Sequence, residues 1–116
     1  MALLDLYDRL VAATDCAVDP LIGRDLELLG YDARYSLVPD AAAIAARRRR
    51  DCWARDIRRE GTTITADRAV VIDVGGAGKG YLADLIAHTL LDAGIGAFVV
   101  DGSGDLRHRS REPVMV

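Results

Sequence analysis

The sequence predicts an α+β domain. Three observations carry that expectation. Apolar residues recur at helical spacing through the first third of the chain, the pattern breaks into short β-rich stretches from about residue 52, and a glycine-rich turn near residue 75 feeds a second helical run and a last strand. A length of 116 residues suits one modest domain over 1–116. A domain of that size buries roughly two-thirds of the surface that its unfolded chain exposes. The 51% hydrophobic content argues against disorder, and the net charge of −3 supplies no general attraction to nucleic acid or to an anionic membrane. No apolar run approaches the roughly 20 residues that span a bilayer.

Leu3, Leu6, Tyr7, Leu10 and Val11 predict an amphipathic helix over 3–13. Asp5 and Asp8 interrupt that segment, which lacks the basic start of a secretory signal, so a cytoplasmic chain is expected. Asp19 suits an N-cap and Pro20 a first helical position. Ile22, Leu26 and Leu29 then line one face, and Gly30 suits the stop. Residues 40–49 have high helix propensity, with Arg47–Arg50 expected as a solvated C-terminal end that suits the helix dipole. A nucleic-acid patch is the sharper reading of that run, but it lacks interleaved aromatics.

Strands are expected at "CWARDIR" (52–58), "TTITA" (62–66), "AVVID" (69–73) and "AFVVD" (97–101), with a polar tail after the turn "GSGD". Between the last two, Leu82, Leu85, Ile86 and Leu90 give one helical stripe over 81–93 that ends at Gly94. Cys16 and Cys52 form no C-x-x-C and have no nearby His to complete a zinc set; two free thiols are expected, with a disulfide left open. His88 and His108 show no metal-ligand spacing and read as ordinary histidines.

The segment "DVGGAGKGYLAD" (73–84) holds four glycines around Lys79, the only lysine among 15 Lys and Arg residues. A strand passing through glycines into a helix start is a ready anion site, because bare N–H groups and the helix dipole favour negative charge. A tight connection whose glycines only satisfy backbone geometry fits the same pattern. A Walker A loop would need Gly at 73 and Ser or Thr at 80, where the chain has Asp73 and Gly80. A dinucleotide fingerprint from Gly76 meets Tyr81 where it needs Gly. A calcium loop from Asp101 meets Leu106 at its obligatory glycine.

The same segment resembles the central motif of the ApbE family of flavin transferases: an Asp, a glycine turn, Lys-Gly-Tyr and a following Asp. "TDCAVDPLIGRDLELLGY" (14–31) is similar to the family's upstream Thr-x-Gly-x-x-Asp-Pro segment, with its helix and Gly-aromatic pair. "VVDGSGDLR" (99–107) is similar to its downstream strand and Gly-Gly-Asp turn. Three matches in order span residues 14–107. The resemblance implies the central portion of an ApbE-like, T-fold-related domain, with a mixed sheet flanked by helices. It implies an FAD:protein FMN transferase, which uses Mg²⁺ to cleave FAD, attaches FMN to a threonine of an acceptor protein and releases AMP. Carried over by position, it assigns FAD contacts to Ala17, Val18, Asp19, Asp73 and Lys79, and a magnesium-ligating carbonyl to Gly76. Asp84 also matches and reads as helix surface.

There are departures. Cys16 stands where the family usually has Gly, Leu21 where Thr usually follows Asp-Pro, and Ser103 within the Gly-Gly pair. Family members are longer, and the segments that cover the flavin and complete the metal site are not expected in this chain. That makes it inactive alone, or else a non-catalytic FAD-binding or interaction domain that needs a partner chain. The expected partners are FAD and a flavin-acceptor protein, with no nucleic acid and no membrane segment; a homo-oligomer is left open. Family members are often exported or membrane-anchored.

Overall fold

The computed structural model describes residues 2–110. They divide into two units, Met1–Val74 and Gly75–Val116. The chain combines helices with two two-stranded antiparallel sheets, an α+β composition as the sequence predicts. The mixed sheet is corrected: among the described residues the strands form two separate hairpins. Each strand is four residues long.

In the first unit α1 (Ala2–Ala13) buries Leu4, Tyr7 and Val11, a three-to-four spacing that forms one stripe. Leu4 and Val11 meet Leu21 and Trp53 in the core, with Cys16, Ile57 and Val70 packed alongside. Burying each large apolar side chain is worth about 1.5–3 kcal/mol. A 3-10 turn (Pro20–Ile22) opens α2 (Gly23–Leu28). Gly30 closes it at φ +95°, where Gly30 N–H bonds to Glu27 O and Tyr31 N–H to Leu26 O. That is the glycine stop expected, in its paired-bond form. A Cβ on Gly30 would lie 2.4 Å from Val38 N, so the position excludes any side chain.

Asp40 caps α3 (Ala41–Ala46) by accepting from Ala43 N–H at 2.9 Å. The helix ends before the arginines, which corrects the solvated helix end. Arg47 reaches Asp25 and Asp51, Arg49 reaches Asp56, and Arg50 reaches Asp25. Their charge is spent on the chain's own carboxylates. "CWARDIR" is also corrected: Trp53–Asp56 forms a helical turn, α4, before β1 (Ile57–Glu60) begins. β1 pairs with β2 (Thr63–Ala66) across Gly61, whose φ of +59° suits the first position of a tight hairpin. Arg59 ties β1 to α1 through Asp5 and Asp8, and Trp53 Nε1 donates to Asp8 at 2.6 Å. Residues 69–73 enter no strand, since 69–74 pair with no neighbouring strand.

In the second unit α5 (Gly75–Asp92) packs on the hairpin of β3 (Phe98–Asp101) and β4 (Leu106–Arg109). The glycine turn expected before this helix is instead its first two turns. None of Gly75, Gly76, Gly78 or Gly80 has positive φ. Ala83 and Ala87, one turn apart, form the buried face, while Leu82, Leu85 and Ile86 stay exposed. Small side chains permit the close approach, so the leucine stripe is not the packed one. Gly94, at φ +79°, ends α5 with the same paired bonds that end α2. Of the expected polar tail, Leu106–Arg109 forms β4, an exposed edge strand held by backbone pairing to β3, and residues 111–116 lie outside the described residues.

Candidate functional site

Residues 14–19 form a turn organised by Thr14. Its hydroxyl donates to Leu10 O at 2.7 Å and accepts from Val18 N–H at 3.0 Å, while Ala17 N–H donates to Thr14 O. Asp15 and Cys16 both take positive φ, at 49° and 62°. A non-glycine residue held there costs about 1–2 kcal/mol. Ala17 and Val18 are exposed; Asp19 is 5% exposed. Asp19 Oδ1 accepts from Leu21 N–H at 2.8 Å and Oδ2 accepts from Trp53 N–H at 2.9 Å. One carboxylate thus holds two amides, at two helical starts, that lie 32 positions apart in the chain.

Asp73 joins this group through its backbone. Its N–H donates to Pro20 O at 2.7 Å, next to Asp19. Val71 lies so close to Gly23 that a Cβ there would meet Val71 Cγ1 at 2.6 Å. The structure therefore brings Ala17, Val18, Asp19 and Asp73 together within the first unit. Tyr31 and Tyr35 are exposed, stack edge to face with centroids 5.0 Å apart, and share a 3.3 Å hydroxyl contact. That contact, with the negative charge of Asp73 as a smaller cause, raises the Tyr31 hydroxyl above its ordinary value. Sequence reasoning gave this aromatic pair no role; its signal is the Gly-aromatic step at Gly30–Tyr31.

Gly76 and Lys79 lie one helical turn apart at the start of α5. Lys79 Nζ is 3.3 Å from Asp105 Oδ2 and donates to Ser103 O at 3.4 Å. Asp101 Oδ1 shapes that turn by accepting from Ser103 N–H and Gly104 N–H. Lys79 and Asp105 are 56% and 45% exposed, so water screens their attraction. Asp84 pairs with Arg107 on the helix surface at 3.5 Å. His88 sits on α5 against Asp84 O, and His108 lies exposed on β4.

A groove of about 340 Å³ between α2 and α3, lined by Ile22, Asp25, Leu29, Ile44, Arg47 and Arg50 among others, contains none of the residues to which the resemblance assigns flavin or metal contacts. Cys16, Asp19 and Cys52 present ligand-type atoms within 4.8 Å of one another. The contact with Cys52 pushes the Cys16 thiol up to about 11. Among the described residues no helix is long and apolar enough to cross a membrane.

The sequence model described as "ApbE family" matches residues 1–115. No curated protein and no solved structure matches the chain.

Proposed function

The chain belongs to the ApbE family, and from that premise we propose that it is a flavin transferase: it binds FAD, moves FMN to a threonine of an acceptor protein and releases AMP, with Mg²⁺ as cofactor. The observation that carries the reading is the family match over residues 1–115. The chemistry of the named residues supports it. Lys79 lies near the start of a glycine-rich helix, where a compact ammonium and the positive end of the helix dipole suit a pyrophosphate. Its present partner is weak: an exposed ion pair is worth about 0.2–1 kcal/mol. A hydrogen bond to a charged group is worth about 1.5–3 kcal/mol. On this reading a pyrophosphate displaces Asp105 from Lys79.

Ala17 and Val18 are exposed and Asp73 is half-buried, and the exposed Tyr31–Tyr35 pair offers aromatic faces that suit a flat ring. Asp19 supports the turn that carries Ala17 and Val18 by holding the Leu21 and Trp53 amides. Gly76 would supply one hard oxygen ligand, since a helical carbonyl keeps a lone pair beyond its intrahelical bond. Mg²⁺, when bound, neutralises pyrophosphate charge.

A second reading, a non-catalytic binding or interaction domain, is favoured by the exposed Leu82, Leu85 and Ile86 on α5. The test incubates the chain with FAD, Mg²⁺ and a threonine-bearing acceptor domain. AMP release with acceptor mass gain supports transfer. Flavin binding without turnover selects the second reading, and absence of both removes flavin chemistry from this chain.

A further inference from the structure

Cys16 and Cys52 are separated by 36 positions, yet their sulfurs lie 2.7 Å apart. That is inside the roughly 3.5–4.0 Å at which unbonded heavy atoms such as carbons settle. The two backbones are also held. Cys16 sits at φ +62°, a conformation that glycine adopts without cost, and Cys52 is extended immediately before α4. Asp19 pins both strands of this junction, capping the turn after Cys16 and the Trp53 amide beside Cys52. We propose that Cys16 and Cys52 form a reversible intramolecular disulfide, a redox modification site of the first unit that is separate from flavin chemistry.

Exchange with a small-molecule disulfide closes the bond in two steps. Cys16, the more exposed thiol, attacks as thiolate on one sulfur of the small disulfide and expels the other half as a thiolate. Cys52 then attacks the Cys16 sulfur of the mixed disulfide and expels the second half. The protein loses two protons and two electrons, and the small disulfide becomes two thiols. A metal suits the pair less well. With zinc–sulfur bonds of about 2.3 Å, sulfurs this close would subtend about 70°, far from tetrahedral.

The test equilibrates the full chain in glutathione buffers from reduced to oxidised, alkylates what remains and weighs the product. The expected result is concerted loss of both thiols, a monomer two hydrogens lighter, and a digest that links the Cys16 and Cys52 peptides. A cross-link closing a loop of this length should raise the melting temperature by on the order of 10 °C. Cys16→Ser and Cys52→Ser should each stop at a single glutathione adduct and show no such rise. The proposal is overturned if the wild-type thiols stay alkylatable throughout, if each takes glutathione independently, or if they join separate chains. Retention of zinc by the reduced chain against a competing chelator would also overturn it, in favour of a metal pair.

Discussion

The two units use charge differently. In the first, beside exposed pairs such as Arg58–Asp67, two carboxylates are built into the scaffold: Asp19 is buried between two backbone amides, and Asp56, with a side chain only 7% exposed, is reached by Arg49, Arg55 and Arg68. In the second, the ion pairs Lys79–Asp105 and Arg107–Asp84 join side chains about half exposed. A buried, fully bonded carboxylate is costly to remove and cannot readily turn to a ligand, whereas a screened pair exchanges partners at little cost. Asp19 and Lys79 therefore differ: Asp19 holds the fold, and Lys79 sits in a solvent-screened pair.

The largest expected effect breaks or keeps that contrast directly. Asp19→Ala strands the Leu21 and Trp53 amides without their charged acceptor. At about 1.5–3 kcal/mol for each such bond, the loss should be about 3–5 kcal/mol in urea unfolding. A loss below about 1 kcal/mol would mean that Asp19 is no more structural than Asp105.

Next in size is Lys79→Ala, followed by flavin fluorescence during FAD titration. Losing one charged contact should weaken FAD by about 1.5–3 kcal/mol, or about 10- to 150-fold, with stability changed by no more than about 1 kcal/mol. Equal affinities would remove Lys79 from the flavin site.

The pH dependence tests the first unit by a subtler measure. Burial raises the Asp56 carboxyl, but the Cys52 amide and the guanidinium groups of Arg49, Arg55 and Arg68 outweigh it, so it lies well below the carboxylate range. Its folded value is depressed. Its stabilisation is therefore complete above the unfolded value of about 3.9 and is lost as pH falls further. Asp56→Asn should flatten that acid slope. Cys16 has the opposite sign. The contact with Cys52 raises it from 9.0 to about 11, so the reduced chain loses the associated stability as pH rises through that window. Thermal melts at pH 2–5 and 8–11 check both, and an unchanged acid slope in Asp56→Asn would remove the network from the account of the first unit.

What the sequence reveals follows from how local each signal is. Asp19 with Pro20, Gly30 and Gly94 act within a few residues of themselves, and those starts and stops appear where they are expected. The α+β class survives because periodicity is local too. The mixed sheet was not legible, because strand pairing is a long-range choice and residues 69–73, apolar enough to read as a strand, found no partner strand. The glycines at 75–80 misled in another way: glycine permits a turn but does not require one, and here all are helical. The arginine run hid its more distant partners, since Asp25 and Asp56 are set against it only by the fold. In the candidate site, the nearness of Asp73 to Asp19 and the Tyr31–Tyr35 pair likewise depend on chain segments meeting in space.

The smallest expected effect is also the sharpest test of the second unit. Asp105→Asn keeps the shape of the 102–105 turn, whose fixed bonds run through Asp101 Oδ1 and the Asp105 carbonyl, and removes only the charge facing Lys79. Folding stability should fall by less than about 1 kcal/mol, as for other exposed pairs. Two accounts of Lys79 then diverge. If Asp105 is a passive partner that a pyrophosphate displaces, its removal saves the cost of breaking the pair. It also withdraws a negative charge from the incoming anion, so FAD affinity should rise about two- to fivefold. If Asp105 instead holds the ammonium in its binding orientation, affinity should fall. Ionic strength supplies the control: at 1 M salt the screening length is about 3 Å, and a difference that is electrostatic should shrink. A tenfold loss of affinity that persists in high salt would show that the pair is a rigid support like Asp19, and the contrast between the two units would no longer hold.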